Sequence, residues 1–233
     1  MIVAIDGPAG SGKSTTAREV ARRLGFVHID SGALYRAFAL AACQQGWVSP
    51  AGILPPERVA PLAAREVGAE VVHGSVVPRL EGRRLGDELR TPEVTACASK
   101  ISAHPEIRNQ VNAILRRLAA ECEAGIVCEG RDMGTVVFPE ADLKVFMVAV
   151  PDERARRRLL QQGQEVTAEK VRAESARLVA RDTADSQREA SPLRQAEDAL
   201  VIDTTDLSFE EQVERIVAAA RRRLDTVESD GLH

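Results

Sequence analysis

Residues 1–17, MIVAIDGPAGSGKSTTA, contain a P-loop pattern: Gly7 to Ser14 fits G-x-x-x-x-G-K-[ST] with no substitution. The apolar run Ile2–Asp6 before the loop is suited to a buried parallel strand, and an amphipathic segment of about Ser14 to Leu24 follows it. A strand, a glycine-rich loop and a helix in this order predict a site that binds nucleotide phosphates. The alternative is a plain strand-to-helix turn with a lysine on its rim, which this context disfavours.

The residue types within the loop explain how it would hold phosphate. Gly10 and Gly12 let the backbone curl so that successive N–H groups point inward, toward anionic oxygens. Lys13 can reach the β- and γ-phosphates, and the Ser14 hydroxyl can ligate Mg²⁺. Only four of the 31 basic residues are lysines, so a lysine at this position stands out. The following helix directs the positive end of its dipole toward the same point.

The rest of the chain alternates between strand-like and helical patterns. Short apolar runs recur at Ile2–Ile5, Val27–Ile29, Ile126–Cys128, Leu143–Val148 and Leu200–Ile202. The helical patterns between them predict an α/β fold, a parallel five-stranded sheet with helices on both faces. An S-x-x-E capping box, Ser208 with Glu211, marks the start of the last helix. Beyond it we expect a disordered tail over residues 225–233.

Two regions exceed what a minimal sheet of this kind needs. Between the second and third runs lies far more chain than one crossover helix requires, and short β-branched runs broken by glycines indicate small antiparallel strands there. Helical segments flank these strands at about Ala33–Gln45, Glu93–Ser102 and Pro105–Glu123. The second region, Asp152–Arg188, is rich in arginine, and for most of these arginines a solvated helix face is expected.

Composition restricts the class of protein. No apolar run approaches the roughly eighteen residues that a membrane span needs, and a strand that leads into the loop is not a signal peptide. The four cysteines lack C-x-x-C spacing and are expected to be free thiols, without disulfides or zinc. A formal charge of −4 does not favour nucleic-acid binding. We expect a soluble, cytoplasmic monomer that acts on small molecules, with no nucleic-acid or membrane partner.

Three arginine-bearing stretches indicate where a phosphate acceptor would bind. They are DSGALYR from Asp30 to Arg36, EGRDMGTVVFPEADLKVF from Glu129, and RDTADSQR from Arg181 to Arg188. In an open parallel sheet, ligands bind outside the carboxyl ends of the strands, where the first two stretches and the phosphate loop emerge. Guanidinium groups that arrive there from separate elements would clamp two phosphate-bearing substrates.

The motifs GPAGSGKST, DSGALYR, EGRDMGTVVFP and RD…D…R…PL stand in the order and spacing of bacterial cytidylate (CMP) kinases. The chain resembles that family from Met1 to about Leu224. The resemblance implies a P-loop nucleoside-monophosphate kinase, one domain over residues 1–224 with an acceptor-binding insertion at about 31–122 and a helical lid at about 152–188. It also implies the reaction ATP + (d)CMP → ADP + (d)CDP, with ATP as phosphoryl donor and Mg²⁺ as cofactor.

The resemblance assigns ligand contacts residue by residue. The ATP contacts fall on Gly7, Pro8, Ala9, Gly10, Ser11, Gly12, Lys13, Ser14 and Thr15. The CMP contacts fall on Ser31, Arg36, Ser99, Arg108, Arg131, Asp132, Arg181, Asp185 and Arg188. The groups assigned to the transfer itself are Lys13, Arg131, Arg181 and Arg188. The resemblance assigns Mg²⁺ binding to Ser14, directly or through water, and to Glu129 through water.

The chemistry of these side chains suits separate parts of the acceptor. The side chains suited to the acceptor phosphate are Arg36, Arg131 and Arg188. Those suited to the base are Ser99, Arg108 and Asp132, and those suited to the sugar hydroxyls are Arg181 and Asp185. The Asp132 carboxylate can accept a hydrogen bond from the N4 amino group of cytosine. Uracil presents a carbonyl oxygen at that place, which the carboxylate would repel, so Asp132 would select the base by exclusion.

The chain departs from the family pattern at three positions. Glu129 stands where the family commonly has Asp, and Ala184 and Ser186 stand where relatives are often basic. Other acceptors on the same fold, such as UMP, AMP or shikimate, are alternatives, and so is a non-catalytic nucleotide-binding switch. The long insertion and the GRDMG motif disfavour the first group, and the chain has no N-K-x-D motif for a GTPase switch.

Overall fold

The computed structural model describes the backbone of residues 1–230 and the side chains of residues 1–225. The strands are β1 (Ile2–Asp6), β2 (Val27–Asp30), β3 (Val67–Val72), β4 (Ser75–Leu80), β5 (Arg83–Arg84), β6 (Ile126–Glu129), β7 (Leu143–Val148) and β8 (Leu200–Asp203). The helices are α1 (Lys13–Leu24), α2 (Ser31–Gln44), α3 (Pro56–Ala63), α4 (Pro92–Ile101), α5 (Pro105–Glu121), α6 (Pro151–Gln161), α7 (Ala168–Ser186) and α8 (Phe209–Asp230). All five strands expected from the apolar runs are formed, and the α/β class is confirmed.

The chain forms two compact units, of which the first comprises Met1–Phe26 and the chain from Val127 onward. Its strands lie in the order β6-β1-β7-β8. β1 runs parallel to β7 with Val3 opposite Leu143, and β7 runs parallel to β8 with Val145 opposite Leu200. Helices α1 and α8 pack together, and apolar side chains from these helices and strands form one core. This core fixes β1, and therefore the start of the phosphate loop.

The second unit, Val27–Ile126, contains β2 to β5 and α2 to α5. β3 and β4 form an antiparallel hairpin whose turn residues, His73 and Gly74, both have positive φ, as in a type I′ turn. β5 pairs antiparallel with β4. The predicted small antiparallel strands are therefore confirmed. β4 also runs parallel to β2, with His28 opposite Ser75, which joins the hairpin to a parallel strand.

The helices of the second unit differ from the sequence-based expectation at their ends and in number. α2 begins at Ser31, two residues earlier than expected, because the Asp30 carboxylate caps it by accepting a 3.1 Å hydrogen bond from the Ala33 N–H. α3 was not predicted. It is short, begins at Pro56 and contains Pro61, whose missing N–H and fixed ring weaken any helical pattern in the sequence.

The last helix is longer than expected. The capping box at its start is confirmed: Ser208 Oγ accepts from the Glu211 N–H at 3.3 Å, and Glu211 Oε2 accepts from the Ser208 N–H at 2.8 Å. α8 then continues to Asp230, and the expectation of a disordered tail over residues 225–233 stays a prediction. No glycine or proline occurs between Ser208 and Asp230 to end the helix earlier. Residues 231–233 lie outside the described residues.

The region expected to be a lid consists of α6 and α7, which pack against each other. An apolar cluster connects this helix pair to the phosphate loop: it contains Ala9, Ala155, Leu159, Val171 and Leu178. The division of the chain into one kinase domain, an insertion and a lid stays a prediction. None of the helices in residues 1–230 combines the length and apolarity that a bilayer crossing requires.

Candidate active site

The loop between β1 and α1 has the conformation that its glycines predict. Gly7, Gly10 and Gly12 have φ angles of 146°, 77° and 90°, values that residues with a Cβ atom rarely adopt. Helix α1 begins at Lys13, one residue earlier than expected, with Gly12 at the N-cap. The unpaired N–H groups of the first helical turn therefore lie at the end of the loop, as an anion site requires.

Gly7 is also required by packing. A Cβ atom built at this position would lie 2.1 Å from the carbonyl oxygen of Met147 on β7, far inside van der Waals contact. The contact is with backbone, so it could not be relieved by a side-chain rotation. The loop leaves β1 so close to the neighbouring strand that only glycine fits.

Lys13 is folded into the loop. Its side chain is buried, and Nζ donates hydrogen bonds to the carbonyl oxygen of Pro8 at 2.6 Å and to Oγ of Ser11 at 3.2 Å. Burial, and then the positive charge of Arg131, lower the pKa of Lys13 well below its ordinary value. The charged ammonium group is therefore costly here without an anion, and a phosphate would supply the missing negative charge.

Ser14 and Glu129 form a pair of oxygen donors beside the loop. Ser14 Oγ donates a 2.8 Å hydrogen bond to Glu129 Oε2, and Glu129 ends strand β6 with a buried side chain. Hydroxyl and carboxylate oxygens are the ligand types that Mg²⁺ prefers. Within residues 1–225, no three His, Cys, Asp or Glu side chains are grouped closely enough to hold a metal by themselves. The pair thus fits a Mg²⁺ ion that takes its other ligands from water and substrate phosphates.

Asp6, at the end of β1, connects the start of the phosphate loop to the segment after Asp132. Its carboxylate accepts hydrogen bonds from the Met133 N–H at 2.9 Å and from the Gly134 N–H at 2.8 Å. Burial raises the pKa of Asp6 to about 6, although the two backbone hydrogen bonds oppose this shift. Asp6 was not among the predicted site residues, and an acidic residue at the end of an apolar strand was the only sequence signal for it.

Four predicted acceptor residues form one cluster in the first unit. The Arg131 Nε donates to Asp185 Oδ2 at 3.1 Å, and Arg188 lies on the other side of the same carboxyl group, with its Nη1 3.7 Å from Oδ1. Burial, and then the charge of Arg131, lower the pKa of Arg181 to about 10. Three arginines thus gather around the carboxylate of Asp185. Such a cluster favours the binding of an anion.

Asp132 is buried beside this cluster, with 1% of its surface exposed. It lies three residues beyond the end of β6, and its backbone carbonyl accepts hydrogen bonds from the N–H groups of Val136 and Val137. These bonds belong to a single π-helical turn, Met133–Val137, a conformation that recurs at functional sites. The turn, anchored by Asp6, sets where the Asp132 side chain stands.

Arg154 and Asp182 were not predicted to belong to the site, yet both contact the phosphate loop. Asp182 Oδ1 accepts a 3.0 Å hydrogen bond from the Ala9 N–H, and Arg154 Nη1 donates to the Ala9 carbonyl at 2.9 Å. The two side chains also form an ion pair with each other. Asp182 lies within RDTADSQR between two predicted ligands. Arg154 lies in an arginine-rich run whose members the sequence does not distinguish.

The remaining predicted acceptor residues lie in the second unit. Arg36 Nη2 donates to Asp30 Oδ2 at 2.6 Å, which holds the guanidinium group near the first turn of α2, where Ser31 is buried. The Arg108 guanidinium carbon lies 5.3 Å from the centre of the Tyr35 ring, and Arg108 Nη1 donates to the Ser102 carbonyl at 3.0 Å. The Ser102 hydroxyl in turn donates to the Ser99 carbonyl at 2.9 Å. Ser99 and Arg108 are therefore linked through Ser102.

Comparison with known proteins places the chain among nucleotide kinases. The sequence profile of one family, cytidylate kinase, matches residues 3–222. The cytidylate kinase of Geobacter sulfurreducens is 43% identical over 230 residues, which cover 96% of this chain and 94% of the relative. The cytidylate kinase of Salinibacter ruber is 46% identical over 234 residues, covering 93% and 95% of the two chains.

A solved structure also shares the fold. It is a crystal structure of an uncharacterized protein from Eubacterium ventriosum, with a TM-score of 0.52 and 12% sequence identity. The likeness covers 94% of this chain and 97% of that one. At this identity the likeness concerns the fold alone.

Proposed function

Because the chain belongs to the cytidylate kinase family, we propose that its phosphate loop, Asp132 and the arginine cluster around Asp185 perform the transfer from ATP to CMP. The cytidylate kinase activity itself follows from the family and from the relatives that match over nearly the whole chain. The proposal adds the roles of the individual residues. It also includes dCMP as an acceptor, since its base and its phosphate are those of CMP.

One observation carries the assignment of the acceptor phosphate. Arg131, Arg181 and Arg188 surround Asp185, and burial beside Arg131 lowers the pKa of Arg181 to about 10. Cations that repel one another in a buried place are stabilised by a bound anion. Arg131 also lies near enough to Lys13 to lower the pKa of the lysine. The cluster therefore adjoins the loop that holds the phosphates of ATP.

The proposed mechanism is positioning and charge neutralisation. Phosphoryl transfer to a phosphate oxygen needs no strong general base, because the acceptor is already an anion. Arg131 and Arg188 neutralise the acceptor phosphate so that one anion can approach another. Lys13 and Arg181 stabilise the charge that develops on the oxygens of the transferring group. Exclusion of water by α6 and α7 would prevent hydrolysis of ATP in place of transfer.

Base selection falls to Asp132. Its carboxylate accepts from the cytosine N4 amino group and repels the O4 carbonyl of uracil. In the second unit we assign Ser99 and Arg108 to the base and Arg36 to the acceptor phosphate, with Ser31 as a further contact. The buried position of Asp132 supports this role, since a desolvated carboxylate discriminates strongly between a donor and an acceptor.

Mg²⁺ is proposed to bind at Ser14 and Glu129, whose oxygens lie 2.8 Å apart. When bound, the ion would neutralise phosphate charge. Glu129 reaches further than the aspartate that is common at this position, so it can meet the Ser14 hydroxyl directly. Since both substrates are metabolites of the cytoplasm, we place the enzyme there, and we expect it to act as a monomer.

A coupled assay of ADP release tests the function. The enzyme is supplied with ATP, Mg²⁺ and, in separate reactions, CMP, dCMP, UMP, AMP or shikimate. We expect kcat/KM to be highest for CMP and dCMP. Preference for AMP or shikimate would contradict the proposed acceptor site. ATP turnover that does not depend on any acceptor would contradict the proposed transfer.

A further inference from the structure

We propose that Arg154 and Asp182 are positioning residues that hold the phosphate loop through the peptide groups of Ala9. The inference rests on the proposed function, because it takes the loop as the site of ATP binding. It assigns to the α6–α7 pair a part in ATP affinity that does not require either residue to touch ATP.

The two side chains contact different polar groups of the Ala9 backbone. The N–H of Ala9 donates to Asp182 of α7, and the carbonyl of Ala9 accepts from Arg154 of α6. Both backbone polar groups of one loop residue are thereby satisfied by the two helices. The side chains of Arg154 and Asp182 are 6% and 16% exposed, so water competes little for these hydrogen bonds. The Ala9 N–H, being occupied, leaves the N–H groups from Gly10 onward to face phosphate.

Packing makes the contact rigid. The Ala9 side chain lies in the apolar cluster with Ala155 and Leu159 of α6 and Leu178 of α7. A Cβ atom at Gly10 would lie 3.2 Å from both Cβ and the carbonyl oxygen of Arg154, so loop and helix approach each other closely. The loop therefore cannot shift at residues 9–10 unless the two helices shift with it.

The competing interpretation is that Arg154 and Asp182 only join α6 to α7. The chain offers a matched pair for this comparison. Arg158 of α6 and Glu174 of α7 form an ion pair at 2.7 Å between the same helices. Among the described residues, this second pair makes no hydrogen bond to the phosphate loop. Loss of either ion pair weakens the contact between α6 and α7. Only loss of the Arg154–Asp182 pair also removes hydrogen bonds to the peptide groups of Ala9.

The test compares Asp182→Asn with Glu174→Gln in the full-length protein. Isothermal titration of Mg²⁺-ATP, without acceptor, gives the affinity, and steady-state assays give KM for ATP and for CMP. Asp182→Asn places an amide against Arg154, and we expect ATP affinity to fall about tenfold, with KM for CMP changing less than about twofold. Glu174→Gln should leave both values within about twofold. Equal ATP affinity in the two variants would overturn the proposal.

Two further variants guard against an effect on folding alone. Arg154→Lys keeps the charge but can satisfy only part of the contact, and should weaken ATP binding by a smaller factor. The exchange of both residues, Arg154→Asp with Asp182→Arg, restores the ion pair but sets a carboxylate against the Ala9 carbonyl. Recovery of ATP affinity by this exchange would overturn the proposal. A wild-type protein that binds ATP but does not phosphorylate CMP would instead contradict the proposed function.

Discussion

The Nζ atom of Lys13 donates a 2.6 Å hydrogen bond to the carbonyl oxygen of Pro8, so the lysine spans the loop that it is expected to serve. The loop is thus closed on itself by its own cation. Binding of ATP would exchange this neutral carbonyl for phosphate oxygens. Because burial has already lowered the pKa of Lys13, a charged partner stabilises the ammonium group far more than a carbonyl does.

Lys13→Ala should abolish most activity while the fold remains. We expect kcat/KM to fall by about 10²–10³, the usual loss when one preorganised cation or donor is removed from a transition state. The measurements are the coupled kinase assay and circular dichroism. Lys170→Ala, at an exposed lysine on α7, is the control and should be neutral. Near-normal turnover in Lys13→Ala would contradict the role of the loop.

Asp132→Asn should change the choice of base. The amide can donate to the uracil O4 carbonyl that the carboxylate repels, but it loses a charge-assisted hydrogen bond to cytosine. That bond contributes roughly 1.5–3 kcal/mol, so kcat/KM for CMP should fall about tenfold to a hundredfold. UMP should lose less or improve. If Asp132 merely orients Arg131, both substrates will decline together, and the ratio of CMP to UMP efficiency will stay constant.

Strand runs and phosphate-loop geometry were predictable from the sequence because each depends on neighbouring residues. The run Leu143–Val148 has the predicted bounds, and Gly10 and Gly12 have the positive φ that the pattern requires. Contacts over long sequence distances were not predictable in the same way. The bond from Ala9 to Asp182 joins residues 173 positions apart, and no local pattern indicates that these two residues are partners. Helix α3 was not predictable either, because Pro61 weakens the helical pattern in the sequence.

Asp6 should make stability depend on pH in a defined window. Its pKa is about 6 in the folded protein against 3.8 in the unfolded chain, so between these values the folded state alone keeps the proton. Stability from this group is therefore full below about pH 4 and is lost as pH rises through about 6. The loss amounts to about 3 kcal/mol. Urea unfolding from pH 4 to 7 should show this decline in wild type relative to Asp6→Asn; parallel curves would contradict it.

Glu129→Gln should raise the Mg²⁺ requirement. The amide keeps the size of the side chain and can still contact Ser14, but it removes the charge that attracts a cation. At fixed ATP, we expect the Mg²⁺ concentration for half-maximal rate to rise about tenfold, because a charge-assisted contact is lost. The affinity for CMP measured without metal serves as the control and should be unchanged. An unaltered Mg²⁺ dependence would exclude Glu129 from the metal site.

The α6–α7 pair should become better protected when both substrates bind. Bound phosphates would add contacts to the arginines near the C-terminal end of α7, so without substrates residues 181–188 should open more readily than the sheet. Hydrogen exchange with ATP and CMP together should slow in this segment, whereas β7 should change little. Equal exchange with and without substrates would contradict a lid.

The close approach of Gly7 to Met147 gives the phosphate-loop motif two distinct sources of evolutionary constraint. A library selected only for a folded, protease-resistant protein should retain Gly7, because any Cβ atom there meets backbone. The same library should accumulate changes at Lys13, where no fold-determining contact of comparable severity exists. Selection for growth that depends on the kinase reaction would retain both Gly7 and Lys13. The motif therefore combines a residue that the fold requires with a residue that the chemistry requires. In a lineage that lost the enzyme activity, these residues would be substituted at different rates.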